Sequence, residues 1–97
     1  MPAAVAFKRI SEPLESEIDE VFREHSRLVY RTAYSVTGRS EDAEDVVQTL
    51  FLQLLRRGFP PGFRENPKAY LYRAAVNLAL NAVKSRRRAR LSLTPGA

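Results

Sequence analysis

Two breaks divide this chain into three stretches in which apolar residues recur every three or four positions, a rhythm that admits little except a packed set of helices. Leu14, Ile18, Val21, Phe22, His25, Leu28, Val29, Thr32, Ala33 and Val36 form one apolar face, which predicts a helix over about 13–37 that stops at Gly38. Ser40 is positioned to cap a second helix. Glu41, Asp42 and Glu44 follow in its first turn, where negative charge meets the positive end of the helix dipole. That helix runs to about Arg57 and ends at Gly58, and the following FPPGFRE, with two prolines and a glycine, cannot continue it. Asn66 before Pro67 is a cap plus a first-turn proline, so a third helix extends from there to about Arg90.

No strand alternation of useful length and no internal repeat interrupt this pattern. Isolated helices of this kind are not stable by propensity alone, so the three must bury their apolar faces against one another. The expected fold is therefore all-α, a three-helix bundle-like domain. Its expected core is Ile18, Phe22, Val29, Val36, Val47, Leu50, Phe51, Leu54, Leu71, Ala75, Leu78 and Ala82. At 97 residues the chain has room for one such domain.

Several function classes drop out on composition. No window approaches the roughly 18 uninterrupted apolar residues of a membrane span. The N-terminal MPAAVAFKRISE places its apolar patch before its charges, the reverse of a secretory signal, which points to the cytoplasm. With no cysteine and a single histidine, neither disulfides nor a metal cluster can be assembled, and no cofactor is implied. His25 sits on the apolar face of the first helix and reads as a buried, hydrogen-bonded structural residue. Glu41 and Asp45 lie at i, i+4, yet no nucleophile, metal site or pocket accompanies them, so catalytic residues are not expected and the chain does not read as an enzyme.

Charge is unevenly distributed. Residues 1–57 carry 8 Lys/Arg against 10 Asp/Glu, whereas residues 58–97 carry 8 against 1. Such concentration is the electrostatic footprint of a polyanion partner. On the third helix Tyr70, Arg73, Asn77, Asn81, Lys84 and Arg88 share one side, opposite Leu71, Ala75, Leu78 and Ala82. Asn offers a donor and an acceptor to a base edge, and Arg and Lys neutralise phosphates. A merely solvated face is the alternative, which two asparagines, poor helix formers, count against. The run KSRRRAR, including Arg87, extends the cationic side. Phe59, Phe63 and Arg64 in the loop, followed by Tyr70 and Tyr72, suit stacking on unpaired bases, although aromatic anchors for a loop are the commoner use. On the second helix Asp45, Gln48, Leu52 and Arg56 form a stripe away from Val46, Val47, Leu50 and Leu54. Its polar groups can fix register, and the leucine can supply burial, in a protein contact.

Taken together, GRSEDAEDVVQTLFLQLLRR followed by FRENPKAYLYRAAVNLALNAVKSRRR resembles region 2 of the extracytoplasmic-function sigma factors, bacterial transcription initiation subunits of the sigma-70 class. The match covers about residues 18–90. The resemblance implies that the helix carrying D-x-x-Q, here Asp45 and Gln48, docks on the clamp coiled coil of the RNA polymerase β′ subunit, with Phe51 inside. It further implies that the next loop and helix recognise and help open the promoter minus-ten element by capturing an unstacked base of the non-template strand. Phe63 matches the aromatic of that loop and Asn77 the asparagine of the family's A-x-N segment. Tyr70 stands where tryptophan is usual, Asn81 where aspartate is frequent, Leu55 where tryptophan is common and Thr49 where an acidic residue often follows. These departures bear on base preference and clamp affinity and leave the fold untouched.

The expected organisation is an N-terminal extension over 1–12, a region 2 domain over 13–90, and a tail or linker start over 91–97 with the family's second, helix-turn-helix domain absent. The competing reading is a protein-interaction module whose main partner is a regulatory anti-sigma subunit. Membrane-surface attachment through residues 84–90 lacks the large apolar anchors such a helix needs.

Overall fold

The computed structural model describes residues 3–92, with side chains described over 15–91. Within them lie α1 (Ala3–Thr37), α2 (Ser40–Arg57) and α3 (Pro67–Ser92), with one 3-10 turn, Phe63–Glu65, in the last connection. No strand occurs among the described residues. Most of the expected tail, residues 93–97, lies outside them, as does the side chain of Leu14.

The elements begin and end for local reasons. Gly38 and Gly58 take φ of +69° and +77°, a region hostile to side chains, and the Gly58 N–H donates to Leu54 O at 2.8 Å to close α2. Asn66 caps α3 as expected, its Oδ1 accepting the Ala69 N–H at 3.2 Å ahead of Pro67. Ser40, by contrast, is the first residue of α2 and not its cap. Arg39 occupies the cap position without a side-chain hydrogen bond, and Glu41 and Asp42 alone complement the helix dipole in the first turn. α1 also starts earlier than its periodicity suggested, at Ala3. The upstream residues include three alanines, the strongest helix formers, and Pro13 removes one backbone donor without ending the helix.

α1 is the central element and packs along both α2 and α3, which meet each other over a shorter stretch. Ala33, Ala43, Ala75 and Ala79 are fully buried, and their small side chains let the helix backbones approach closely where larger residues would hold them apart. Around these contacts Ile18, Val29, Val46, Val47, Leu50, Phe51, Leu54 and Leu71 fill the interior. Each large aliphatic or aromatic side chain there contributes about 1.5–3 kcal/mol from its removal from water.

Three details of the expected core change. Phe22 is 42% exposed, because α2 covers only one side of its ring, through an edge-on contact with Phe51 at 4.9 Å. Val36, Leu78 and Ala82 are partly buried, Val36 and Leu78 packing against the margin of the core. The His25 side chain is mostly buried, as expected, but makes no hydrogen bond to a described residue; its Nε2 is 3.6 Å from Glu24 Oε2, too far for one.

One cation of the KSRRRAR run turns inward. Arg86 donates from Nη2 to Thr37 O at 3.3 Å and lies 2.9 Å from Asp42 Oδ2, joining α3 to the end of α1 and the start of α2. The approach to Asp42 is close but not aligned for a hydrogen bond, and Asp42 Oδ2 and Arg86 Nε are buried without a hydrogen-bond partner. Removing the guanidinium would strand the carboxylate and the terminal carbonyl. Arg86→Ala should therefore cost about 1–2 kcal/mol, less than a fully buried pair because both groups keep partial contact with water. Urea titration of Arg86→Ala beside Arg88→Ala checks this, the latter expected to stay within about 0.5 kcal/mol of the parent.

Candidate functional site

The two chemically distinct faces expected from the sequence are separated by the fold. On α2, Asp45, Gln48, Leu52 and Arg56 are all exposed, while Val46, Val47, Leu50, Phe51 and Leu54 face inward. Beside this stripe α1 and α2 leave an open groove of about 780 Å³, lined by Ile18, Phe22, Gln48, Phe51, Leu52 and Leu55 among others. Leu52 is 50% exposed, and Phe22 and Leu55 are each 42% exposed, so a folded monomer leaves three large apolar side chains facing water along one seam. Gln48 also lines a second depression of about 410 Å³ with Ser26, Arg27, Tyr30 and Glu44, where the seam turns polar. The arrangement suits a helical partner: apolar side chains for burial, flanked by an amide and charges that set register.

Sequence reading found the α2 stripe but missed the α1 contribution. Phe22 lies on the same helical face as Ile18 and Val29, and periodicity alone does not show where the covering helix stops.

On α3 the stripe Tyr70, Arg73, Asn77, Asn81, Lys84 and Arg88 is exposed along its whole length, as is Arg87 beside it. Among the described residues Arg73, Lys84, Arg87 and Arg88 form no ion pair, so their charge is available to a polyanion. The fold divides the stripe at its N-terminal end. Arg73 and Asn77 line a groove of about 640 Å³ together with Leu28 of α1, Lys68, Tyr72 and Val76. Tyr70 instead faces the end of α2, in a smaller depression with Leu54, Arg57, Gly58 and Pro60. Tyr72, 55% exposed, lies outside the stripe, about 100° around α3 from Arg73 and away from Tyr70. The sequence pairs it with Tyr70 as an aromatic suited to stacking, and the fold sets the two on different sides of α3.

Two expected DNA-contacting residues sit apart from the open α3 stripe. Phe63 is 2% exposed and cannot present its ring to a base in this conformation. Gly62, at φ +80°, starts the 3-10 turn that tips Phe63 under the loop, where it stacks on Phe59 at 4.6 Å and meets Tyr70 edge-on at 5.3 Å. It is the loop's anchor, the commoner use of such an aromatic. Arg64 is exposed but paired across the surface, its Nε and Nη2 donating to the two carboxylate oxygens of Glu17, each at 3.1 Å. Hydrogen bonding to Glu17, reinforced by Coulomb attraction, lifts Arg64 above the ordinary arginine value. No cluster of three or more His, Cys, Asp or Glu side chains occurs among the described residues, and no described helix is long and apolar enough to cross a membrane.

Comparison with known proteins places the chain in a family. Residues 21–89 match the family model for sigma-70 region 2. The chain is 38% identical over 79 residues to a protein of Mycolicibacterium smegmatis, the ECF RNA polymerase sigma factor SigE, a match covering 79% of this chain and 30% of that relative. The chain thus spans about 30% of the length of that curated relative. No solved structure matches it.

Proposed function

The chain belongs to the sigma-70 region 2 family, and from that premise we propose that it is a non-catalytic, cytoplasmic transcription initiation module that binds RNA polymerase core and recognises and melts the promoter minus-ten element. The observation that carries this reading is the separation of an unpartnered apolar groove, beside Asp45 and Gln48, from an exposed cationic stripe on α3. One face takes the clamp coiled coil of the β′ subunit and the other takes the non-template strand.

The division of labour follows from the chemistry of each side. Leu52, Leu55 and Phe22 supply buried area against a polymerase helix, while Asp45, Gln48 and Arg56 fix its register. A regulatory anti-sigma protein that covers the same groove would compete with polymerase for it. On α3, Lys84, Arg87 and Arg88 track phosphates, and Arg73, Asn77 and Asn81 present the donors and acceptors that read a base edge. Tyr70 and Tyr72 offer ring faces to bases that have left the stack. Unstacking costs a few kcal/mol, and each base stacked on an aromatic returns about 1–3 kcal/mol, so opening needs no nucleotide hydrolysis.

Salt titration tests the DNA face. Affinity for a minus-ten non-template oligonucleotide should fall with salt along a logarithmic slope of about −0.7 for each phosphate neutralised. Arg73→Ala, Lys84→Ala and Arg88→Ala should each make that slope shallower by about 0.7, and an unchanged slope in all three would remove α3 as the DNA face.

A further inference from the structure

The α2–α3 loop is tied to α1 by a contact that neither face uses. Three local backbone hydrogen bonds shape it, from Phe63 N to Pro60 O, Glu65 N to Gly62 O and Asn66 N to Phe63 O, at 3.1–3.2 Å. Across the fold, the guanidinium of Arg64 forks onto both oxygens of Glu17, joining residues 47 positions apart. The same guanidinium carbon sits 4.9 Å from the centroid of Phe59. Phe59 stacks on the buried Phe63 with planes 13° apart, and Phe63 meets Tyr70 edge-on. A continuous series of contacts therefore runs from a carboxylate on α1 to an aromatic at the start of the candidate DNA face.

We propose that Glu17 and Arg64 are positioning residues, a clamp that pins the loop to α1 and sets the ring of Tyr70 for a base, with Arg64 making no phosphate contact of its own. The proposal rests on the reading of α3 as the DNA face. A single exposed ion pair contributes little to global stability, but this one has two features a passing surface contact lacks. The fork is bidentate, which fixes the plane of the guanidinium as well as its distance. The plane so fixed lies against an aromatic ring that belongs to the stack beneath Tyr70. Its effect is thus on the geometry of the loop, not on whether the domain folds. Arg64 is also already paired with a carboxylate, which takes its Nε and Nη2 donors and offsets the positive charge a phosphate would meet.

The test uses the 97-residue chain carrying Glu17→Gln, Arg64→Gln, the two together, and the exchanged pair Glu17→Arg/Arg64→Glu. Amide hydrogen exchange at Glu65 and Asn66 reports the loop without DNA, and binding to a minus-ten non-template oligonucleotide and to a scrambled strand across a salt series reports the DNA face. Each single change should speed exchange at those two amides about two- to fivefold, with no further gain in the double variant and recovery in the exchanged pair. Preference for the minus-ten strand over the scrambled one should fall by a common factor in both single variants, with the salt slope unchanged. Exchange indistinguishable from the parent in both single variants overturns the clamp. So does a slope made shallower by about 0.7 in Arg64→Gln but not in Glu17→Gln, since Arg64 would then be a phosphate contact. A parent chain with no preference between the two strands sinks the base-reading function itself, and the exchange data still decide the clamp.

Discussion

Replacing Asp45 and Gln48 together with alanine is expected to weaken retention of the chain on RNA polymerase core by about thirtyfold, equivalent to ~2 kcal/mol. Both side chains are exposed on α2, outside the buried core, so their removal leaves the bundle intact. The loss should therefore appear with no change in helical circular dichroism or melting temperature. Its size comes from where they sit. Gln48 lines both depressions of the seam, with Phe22 on each side, so a partner laid along the groove buries the amide beside three large apolar groups. A partner group left facing an alanine loses its hydrogen bond in a site from which water has been excluded. Leu52→Ala, which removes apolar area from the same seam, should weaken retention by a comparable factor, whereas Arg56→Ala, at the end of the stripe, should change mainly the salt dependence. Full retention of the Asp45→Ala/Gln48→Ala chain would move the polymerase contact off α2.

The groove also shows what periodicity can and cannot deliver. The ends of α1 and α2 and the start of α3 were legible because each is fixed by local chemistry: glycines that tolerate positive φ, an asparagine that caps, a proline suited to the first turn. The burial of Phe22 was not legible. Its position on α1 is in register with Ile18 and Val29, yet no helix covers the outer side of its ring, and the end of a covering element is a property of the tertiary arrangement. Arg86 is the converse. In a run of like charges it looks interchangeable with Arg87 and Arg88, but it continues the spacing of Ala75, Ala79 and Ala82 down the inward face of α3. That spacing was present in the sequence, and a carboxylate and a terminal carbonyl wait where it leads. Phe63 and Arg64 sit in a loop, where no period exists to assign a direction. Only the turn at Gly62 and the distant Glu17 decide which way each points.

Phe63 consequently carries the largest expected stability effect in the chain. Its ring is 2% exposed and in contact with Phe59 and Tyr70, so Phe63→Ala would leave a cavity at the junction of the loop and α3 and break the stack on which Arg64 rests. Truncation of a buried phenylalanine costs about 3–5 kcal/mol, a large part of the 5–15 kcal/mol that holds a typical domain together. At about 4–8 °C per kcal/mol for a domain of this size, the melting temperature should fall by at least ~12 °C. Phe63→Leu keeps much of the volume and loses the ring-ring contacts, so it should cost about 1–2 kcal/mol and leave the domain folded. The pair of variants separates the anchor from a base-stacking side chain. An anchor makes Phe63→Ala fail thermally, and leaves Phe63→Leu, measured below its melting point, with a preference for a minus-ten strand that is reduced, as in Arg64→Gln, but not abolished. A ring that leaves the interior to hold a base would give the opposite order: Phe63→Ala near the parent in melting temperature, and both variants without strand preference. The edge-on contact with Tyr70 favours the first outcome, because Phe63 can act on a base through Tyr70 without exposing its own face.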